Sequence, residues 1–224
     1  LVPTSKIALV IGNTNYEDDD LDLKNPTNDA RLIASTLEEI GFSVVLKENL
    51  NNVQFINEII EFQNKLPEYD FGIIYYAGHA LQDGNGNSYL LPVDFSNKNQ
   101  IKSQALNISE IILDFELFDK KCLIILDACR NEGNIGLPKP IIEDPFNIKL
   151  AYSTALGRKA SDNSDLNNTI YTSALSWLLV KKGLSIYEIL HNTSKYVRKR
   201  TDEYQRPVHY FGSPINDILL IPSD

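Results

Sequence analysis

The chain has 224 residues, 43% hydrophobic and 23% charged, enough apolar material for one substantial core and so for a single domain over 1–224, either whole or excised from a longer multidomain protein. Its 30 acidic against 21 basic residues give a net charge of -9, which repels phosphate backbones and anionic lipid and argues against nucleic acid or a membrane as partner. No apolar run reaches the roughly 18–20 residues of a bilayer span, and two cysteines, Cys122 and Cys129, are too few for a disulfide framework, so a reducing cytoplasm is the expected compartment.

From the N-terminus, KIALVIGN (6–13) is a short β-branched run that ends at Gly12, as a buried parallel strand does. NPTNDARLIASTLEEIG (25–41) has Pro26 at its start, Gly41 at its stop and Ala30, Ile33, Ala34, Leu37 and Ile40 on one face, which predicts a helix. FSVVLKEN (42–49) follows as a strand, NVQFINEIIEFQNKL (52–66) as an amphipathic helix and YDFGIIYYAGH (69–79) as a third strand. DGNGNSYLLPVD (83–94) has the glycines of a hairpin, and ISEIILDFELF (108–118) is a helix before the strand KCLIILDAC (121–129). The stretch 131–149, with Gly133, Gly136, Pro138, Pro140 and Pro145, is expected to be an irregular loop, the kind of segment that is often functional. It is followed by a strand at 149–156, helices at about 171–182 and 185–201, and a closing strand in DILLIP (217–222). Strands separated by helices make an α/β fold with a mostly parallel sheet covered on both faces, and ligands of such sheets sit beyond the carboxyl ends of the strands.

Two strands deliver reactive groups to that edge. GIIYY ends at AGHA with His79, and LIIL ends at DACR with Cys129. On neighbouring strands about 4.8 Å apart, the two would face each other. An imidazole beside a thiol stabilises the thiolate and can later protonate a leaving group. Cys122, inside the strand itself, is expected to be a buried, inert thiol.

Taken together, YYAGHA, LDACRN and AYSTALG resemble the caspase-like cysteine peptidases, most closely the prokaryotic metacaspase or orthocaspase branch. The spacing fits the family as well, whose histidine lies about 50 residues before its cysteine. The resemblance implies a three-layer α/β/α sandwich on an about six-stranded sheet and a cysteine endopeptidase activity. It makes Cys129 the nucleophile, His79 the general base and acid, and the backbone N–H groups of Cys129 and Ala80 the oxyanion hole. Ala80 stands where the family usually has glycine, which puts the geometry of the hole in question. No carboxylate is placed to orient His79, and relatives often use a backbone carbonyl there.

The resemblance also speaks to specificity. Animal caspases hold aspartate with pocket arginines and a glutamine two residues before the nucleophile, whereas this chain has Asp127. In metacaspases an aspartate at that place, with one at the start of the first helix, holds an arginine or lysine. Asp29 in NPTNDAR matches the second, and Asp162 in GRKASDN is a third candidate. The expected substrate is therefore a protein or peptide with Arg or Lys before the cut. Structural roles compete for each: Asp29 at a helix N-terminus, Asp127 as an acceptor in a loop. In caspases a segment like 131–149 is cut during activation, and here it offers Lys139 and Lys149.

The remaining signals are weak. His191 and His209 are expected to be structural, and no metal-ligand spacing joins the histidines to the cysteines. No cofactor is expected, although the resemblance to metacaspases keeps calcium open, and DGNGN lacks the full ligand series of a calcium loop. The run RKR (198–200) suits a solvated helix end. A second class of reading is a non-catalytic caspase-fold interaction module, whose mark would be loss of the histidine or cysteine. A third, a nucleotide-binding doubly wound protein, lacks the glycine-rich turn.

Overall fold

A computed structural model describes residues 1–83, 85, 87–117, 119–130, 147–154, 167–210 and 213–223. The order of elements is β1 (Lys6–Gly12), α1 (Pro26–Glu39), β2 (Ser43–Glu48), α2 (Asn52–Lys65), β3 (Phe71–Gln82) and β4 (Ser88–Leu90). A short α3 (Ile101–Gln104), β5 (Leu106–Asn107), α4 (Ile108–Glu116), β6 (Cys122–Arg130), β7 (Ile148–Tyr152), α5 (Ile170–Leu179), α6 (Ile186–Arg200) and β8 (Val208–Tyr210) complete it. The main sheet runs β2-β1-β3-β6-β7-β8, with β4 paired to the end of β3 and β5 to β4. From β2 to β7 the pairing is parallel, and β8 is antiparallel to β7. This is the expected three-layer α/β/α sandwich. Among the described residues, no helix is long and apolar enough to cross a membrane.

Strand alternation builds both helical layers. Ala8, Val10, Ile73, Tyr75, Leu123, Ile125 and Ala151 pack with α1, α5 and α6, while Ile7, Leu9, Ile74, Tyr76, Ile124, Leu126 and Ile148 pack with α2 and α4. Local chemistry sets the helix ends. Pro26 occupies the first turn of α1, and Gly41 leaves it with φ of +84°. Capping boxes open α2 (Asn51 with Gln54) and α6 (Ser185 with Glu188). Arg198, Lys199 and Arg200 close α6, where positive charge suits the dipole, as expected.

Several boundaries differ from expectation: β3 runs past His79 to Gln82, and β7 is Ile148–Tyr152 where 149–156 was expected. The closing strand is Val208–Tyr210, not 217–222. The alternation in DILLIP is real, because Ile218 and Leu220 are buried, but they fill the α1/α5/α6 layer. That segment is tied by Leu219 bridging Ser185 and by Lys6 Nζ donating to Leu220 O at 3.0 Å. Lys149, expected at the end of a loop, is the second residue of β7, fully buried with its Nζ hydrogen-bonded to Asn216 Oδ1.

β1 is followed on one side by β2 and on the other by β3, so the strand order reverses between β1 and β3 and leaves a crevice at their carboxyl ends. α1 reaches that crevice only because Gly12 has no side chain. A Cβ there would lie 2.5 Å from the Pro26 carbonyl oxygen and 2.9 Å from Ala30 Cβ. Gly12→Ala should therefore force α1 off the sheet and cost about 1–3 kcal/mol of stability, read as a lowered urea midpoint with an unchanged slope.

Candidate active site

The register of the two central strands sets the geometry. β3 and β6 pair so that Ala77 is opposite Asp127 and His79 opposite Cys129. The expected dyad positions thus share one rung of the sheet at its carboxyl edge.

His79 is half-buried and held on several sides. Its Nε2 lies 2.8 Å from the Leu21 carbonyl oxygen. A carbonyl can only accept, so Nε2 carries the proton and Nδ1 keeps its lone pair. The orienting partner is therefore a backbone carbonyl, on a residue the sequence did not single out. Burial lowers the imidazole pKa from its ordinary value, and the Leu21 bond opposes that shift. The His79 backbone N–H donates to the Tyr16 hydroxyl at 2.9 Å, and its carbonyl accepts from the Tyr76 hydroxyl at 2.8 Å and from Leu91 N–H at 3.0 Å. Since the His79 backbone faces Tyr16 and Leu91, strand alternation turns the Ala80 N–H toward β6. Ala80 itself is an ordinary strand residue without positive φ, paired with Leu90 and Arg130, so alanine is accommodated. The position that needs glycine is Gly78, where a Cβ would meet the Tyr76 hydroxyl at 2.5 Å.

Asp29 and Asp127 converge beneath this edge, 1% and 6% exposed. Thr169, the N-cap of α5, joins them: its N–H donates to Asp29 Oδ1 at 2.9 Å and its hydroxyl to Asp127 Oδ2 at 2.7 Å. Asn168 Nδ2 adds a bond to Asp29 at 3.0 Å, and the Thr172 and Tyr75 hydroxyls reach Asp127 Oδ2 at 2.8 and 3.4 Å. The N-terminal ends of α1 and α5 both carry residues of this cluster, where helix dipoles favour negative charge. Burial, and then the neighbouring Asp127 charge, push the Asp29 carboxyl up to about 8. Both act in the same direction on Asp29, so Asp29 holds its proton near neutrality. Among the described residues no lysine or arginine forms an ion pair with either.

Asp162 and Lys139 lie outside the described residues, as do residues 131–146 of the expected loop. Cys122 is fully buried, and burial pushes its thiol well above the ordinary range, as befits an inert core cysteine. His191 and His209 lie away from this edge, both against the Tyr187 ring. The glycine-containing loop is the turn of the β3–β4 hairpin, closed by Asp83, whose Oδ1 accepts N–H bonds from Asn85 and Asn87, both at 2.9 Å.

Sequence reasoning missed Leu21, Tyr16, Tyr75, Thr169 and Thr172. Only Thr169 left a signal, a threonine directly before a helical pattern. Ser153 and Thr154, just after β7, are buried, and their hydroxyls have no hydrogen-bond partner among the described residues.

Comparison with known proteins identifies the family. The family model described as the caspase domain matches residues 5–218. The human mucosa-associated lymphoid tissue lymphoma translocation protein 1 is 31% identical over 179 residues, 76% of this chain and 21% of that protein. Mouse caspase-1 is 29% identical over 140 residues, 57% of this chain and 32% of the relative. Mouse caspase-12 is 29% identical over 139 residues, 58% and 31%. The chain thus spans between a fifth and a third of the length of these relatives. With the sheet, the register and the family match in agreement, the chain belongs to the caspase domain family of cysteine peptidases.

Proposed function

We propose that this chain is a cysteine endopeptidase of the metacaspase type that cuts peptide bonds after arginine, and less readily after lysine. The observation that carries the reading is the buried pair Asp29 and Asp127, one of whose members stands two residues before Cys129. A buried like-charge pair is costly unless a cation completes it, and the chain's own described cations do not. A guanidinium, planar and always charged, supplies paired donors to two carboxylates more effectively than an ammonium.

In this reading the His79 Nδ1 lone pair accepts the thiol proton of Cys129 while Nε2–H stays on the Leu21 carbonyl. The thiolate attacks the carbonyl carbon of the residue whose side chain sits on Asp127. The N–H groups of Cys129 and Ala80, which face the opposite strand in the last rungs of the β3–β6 ladder, would leave those rungs to receive the developing oxyanion. Imidazolium His79 then protonates the departing amine, leaving a thioester, and the neutral ring activates water to hydrolyse it. Asp162 would add a third acceptor to the pocket. Protein substrates follow from the family, and the basic residue before the cut from the pocket.

Cys129→Ala and His79→Ala should each abolish hydrolysis of an arginine peptide while leaving the circular dichroism spectrum unchanged, and Cys122→Ala should keep activity. Turnover that survives Cys129→Ala would remove the nucleophile assignment. Loss of one partner of a buried charge pair costs about 2–5 kcal/mol, so Asp127→Ala should lower kcat/KM for arginine peptides at least about thirtyfold. A peptide library cut preferentially after aspartate would overturn the pocket.

The proton on Asp29 gives a pH signature. Asp29 is raised in the fold, so the folded chain holds a proton that the unfolded chain has lost, and stability falls as pH rises from the ordinary carboxylate range to about 8. A bound guanidinium expels that proton, so KM for arginine peptides should fall over the same interval. Asp29→Asn should flatten both trends, raising the melting temperature near pH 8 while weakening arginine binding. A KM in the parent protein that is flat across that interval would argue against the pair as the binding pocket.

A further inference from the structure

The connection that leaves β1 is bonded far more closely than a loop on its way to a helix requires. Thr14 and Asn15 both donate their N–H groups to Asn49 Oδ1, at 2.9 and 3.0 Å, and Leu23 N–H returns to Thr14 O at 3.0 Å. Inside that closure the Tyr16 N–H donates to the exposed Asp22 carboxylate at 2.7 Å. Residues 14–23 thereby form a strap across the end of β3, and it touches His79 at two points. The Leu21 carbonyl meets the ring at Nε2, and the Tyr16 hydroxyl takes the backbone N–H at 2.9 Å while its own ring lies 5.0 Å from the imidazole, centroid to centroid. The Tyr76 hydroxyl lies 2.8 Å from the His79 carbonyl and 3.0 Å from the Leu91 carbonyl and shares its one proton between them. Tyr16 thus accepts from the His79 N–H while Tyr76 donates to the carbonyl side of the same residue, so His79 is held at both of its backbone polar groups.

We propose that Tyr16 and Asp22 are positioning residues that act through His79. Asp22 closes the strap so that the Leu21 carbonyl selects the Nε2–H tautomer, and Tyr16 fixes the backbone and the ring plane so that Nδ1 is presented to the neighbouring strand. A backbone carbonyl cannot be replaced by mutation, so its placement is delegated to these two side chains. The proposal rests on the peptidase reading for its kinetic consequence, but not for its structural one.

Two readouts separate them. In nitrogen-15 spectra of histidine-labelled protein, with His79 assigned by His79→Gln, the parent chain should show a single tautomer with the proton on Nε2. Tyr16→Phe keeps the ring and loses the hydroxyl; Asp22→Ala changes only an exposed side chain and so leaves folding intact even where the buried tyrosine variant does not. Both should move the His79 resonances toward a tautomer average. Both should also lower kcat for arginine peptides about tenfold, the worth of one hydrogen bond, with KM unchanged. Asp22→Asn, whose amide oxygen still accepts from Tyr16, should recover most of what Asp22→Ala loses. Unaltered His79 resonances in Asp22→Ala, or a loss confined to KM, would overturn the proposal. A tautomer shift in a chain that hydrolyses no peptide would instead uphold the strap and remove the peptidase reading.

Discussion

The parallel pairing of β3 with β6 is the constraint from which the rest of the site follows. One register places residue 79 across from 129 and residue 77 across from 127, so a single set of ladder bonds sets both the histidine–cysteine rung and the Asp127 side of the buried acidic pair. Side chains in a pleated strand alternate faces, so a slip of one residue would turn Asp127 away from Thr169 and Thr172 and into the α2/α4 layer. The apolar residues on either face of β6, Leu123 and Ile125 toward one layer and Ile124 and Leu126 toward the other, oppose that slip. Core packing therefore determines where the reactive groups stand.

The two halves of the site solve opposite electrostatic problems. Around His79 a carbonyl and two phenols hold the Nε2–H and the backbone groups with neutral partners, and burial holds the ring's proton affinity down. Around Asp29 and Asp127, hydroxyls, an amide and two helix ends soften the repulsion of two carboxylates without cancelling it. The first half holds one tautomer through neutral partners; the second keeps negative charge buried beside hydroxyl and amide donors.

What could be read in advance was whatever is local or periodic. The apolar alternation of KIALVIG and CLIILD, the proline and glycine bracketing α1 and the capping residues of α2 and α6 predict elements that form within a residue or two. The position of Cys129 near a strand end was equally legible, whereas β3 runs past His79 to Gln82 because its last residues pair with β4, which no local pattern announced. The convergence of Asp29 with Asp127 depends on a contact between residues far apart in sequence, and only resemblance to a family suggested it. Leu21 acts through its carbonyl, which every residue has, so no sequence pattern could mark it. DILLIP shows the converse failure: its alternation has a period of two because one side faces a helix layer, and nothing in that period says which neighbour covers it.

The sheet does not close on itself, and its two open margins are treated differently. β8, antiparallel to its neighbour, presents only Val208–Tyr210. β2 is longer, but Lys47 and Glu48 stand on it in ion pairs with Glu58 and Arg31. A foreign strand seeking to extend the sheet would find too few ladder bonds at one margin and would have to strip water from charged side chains at the other. The brevity of one edge and the charge on the other thus keep either margin from serving as a template for a further strand.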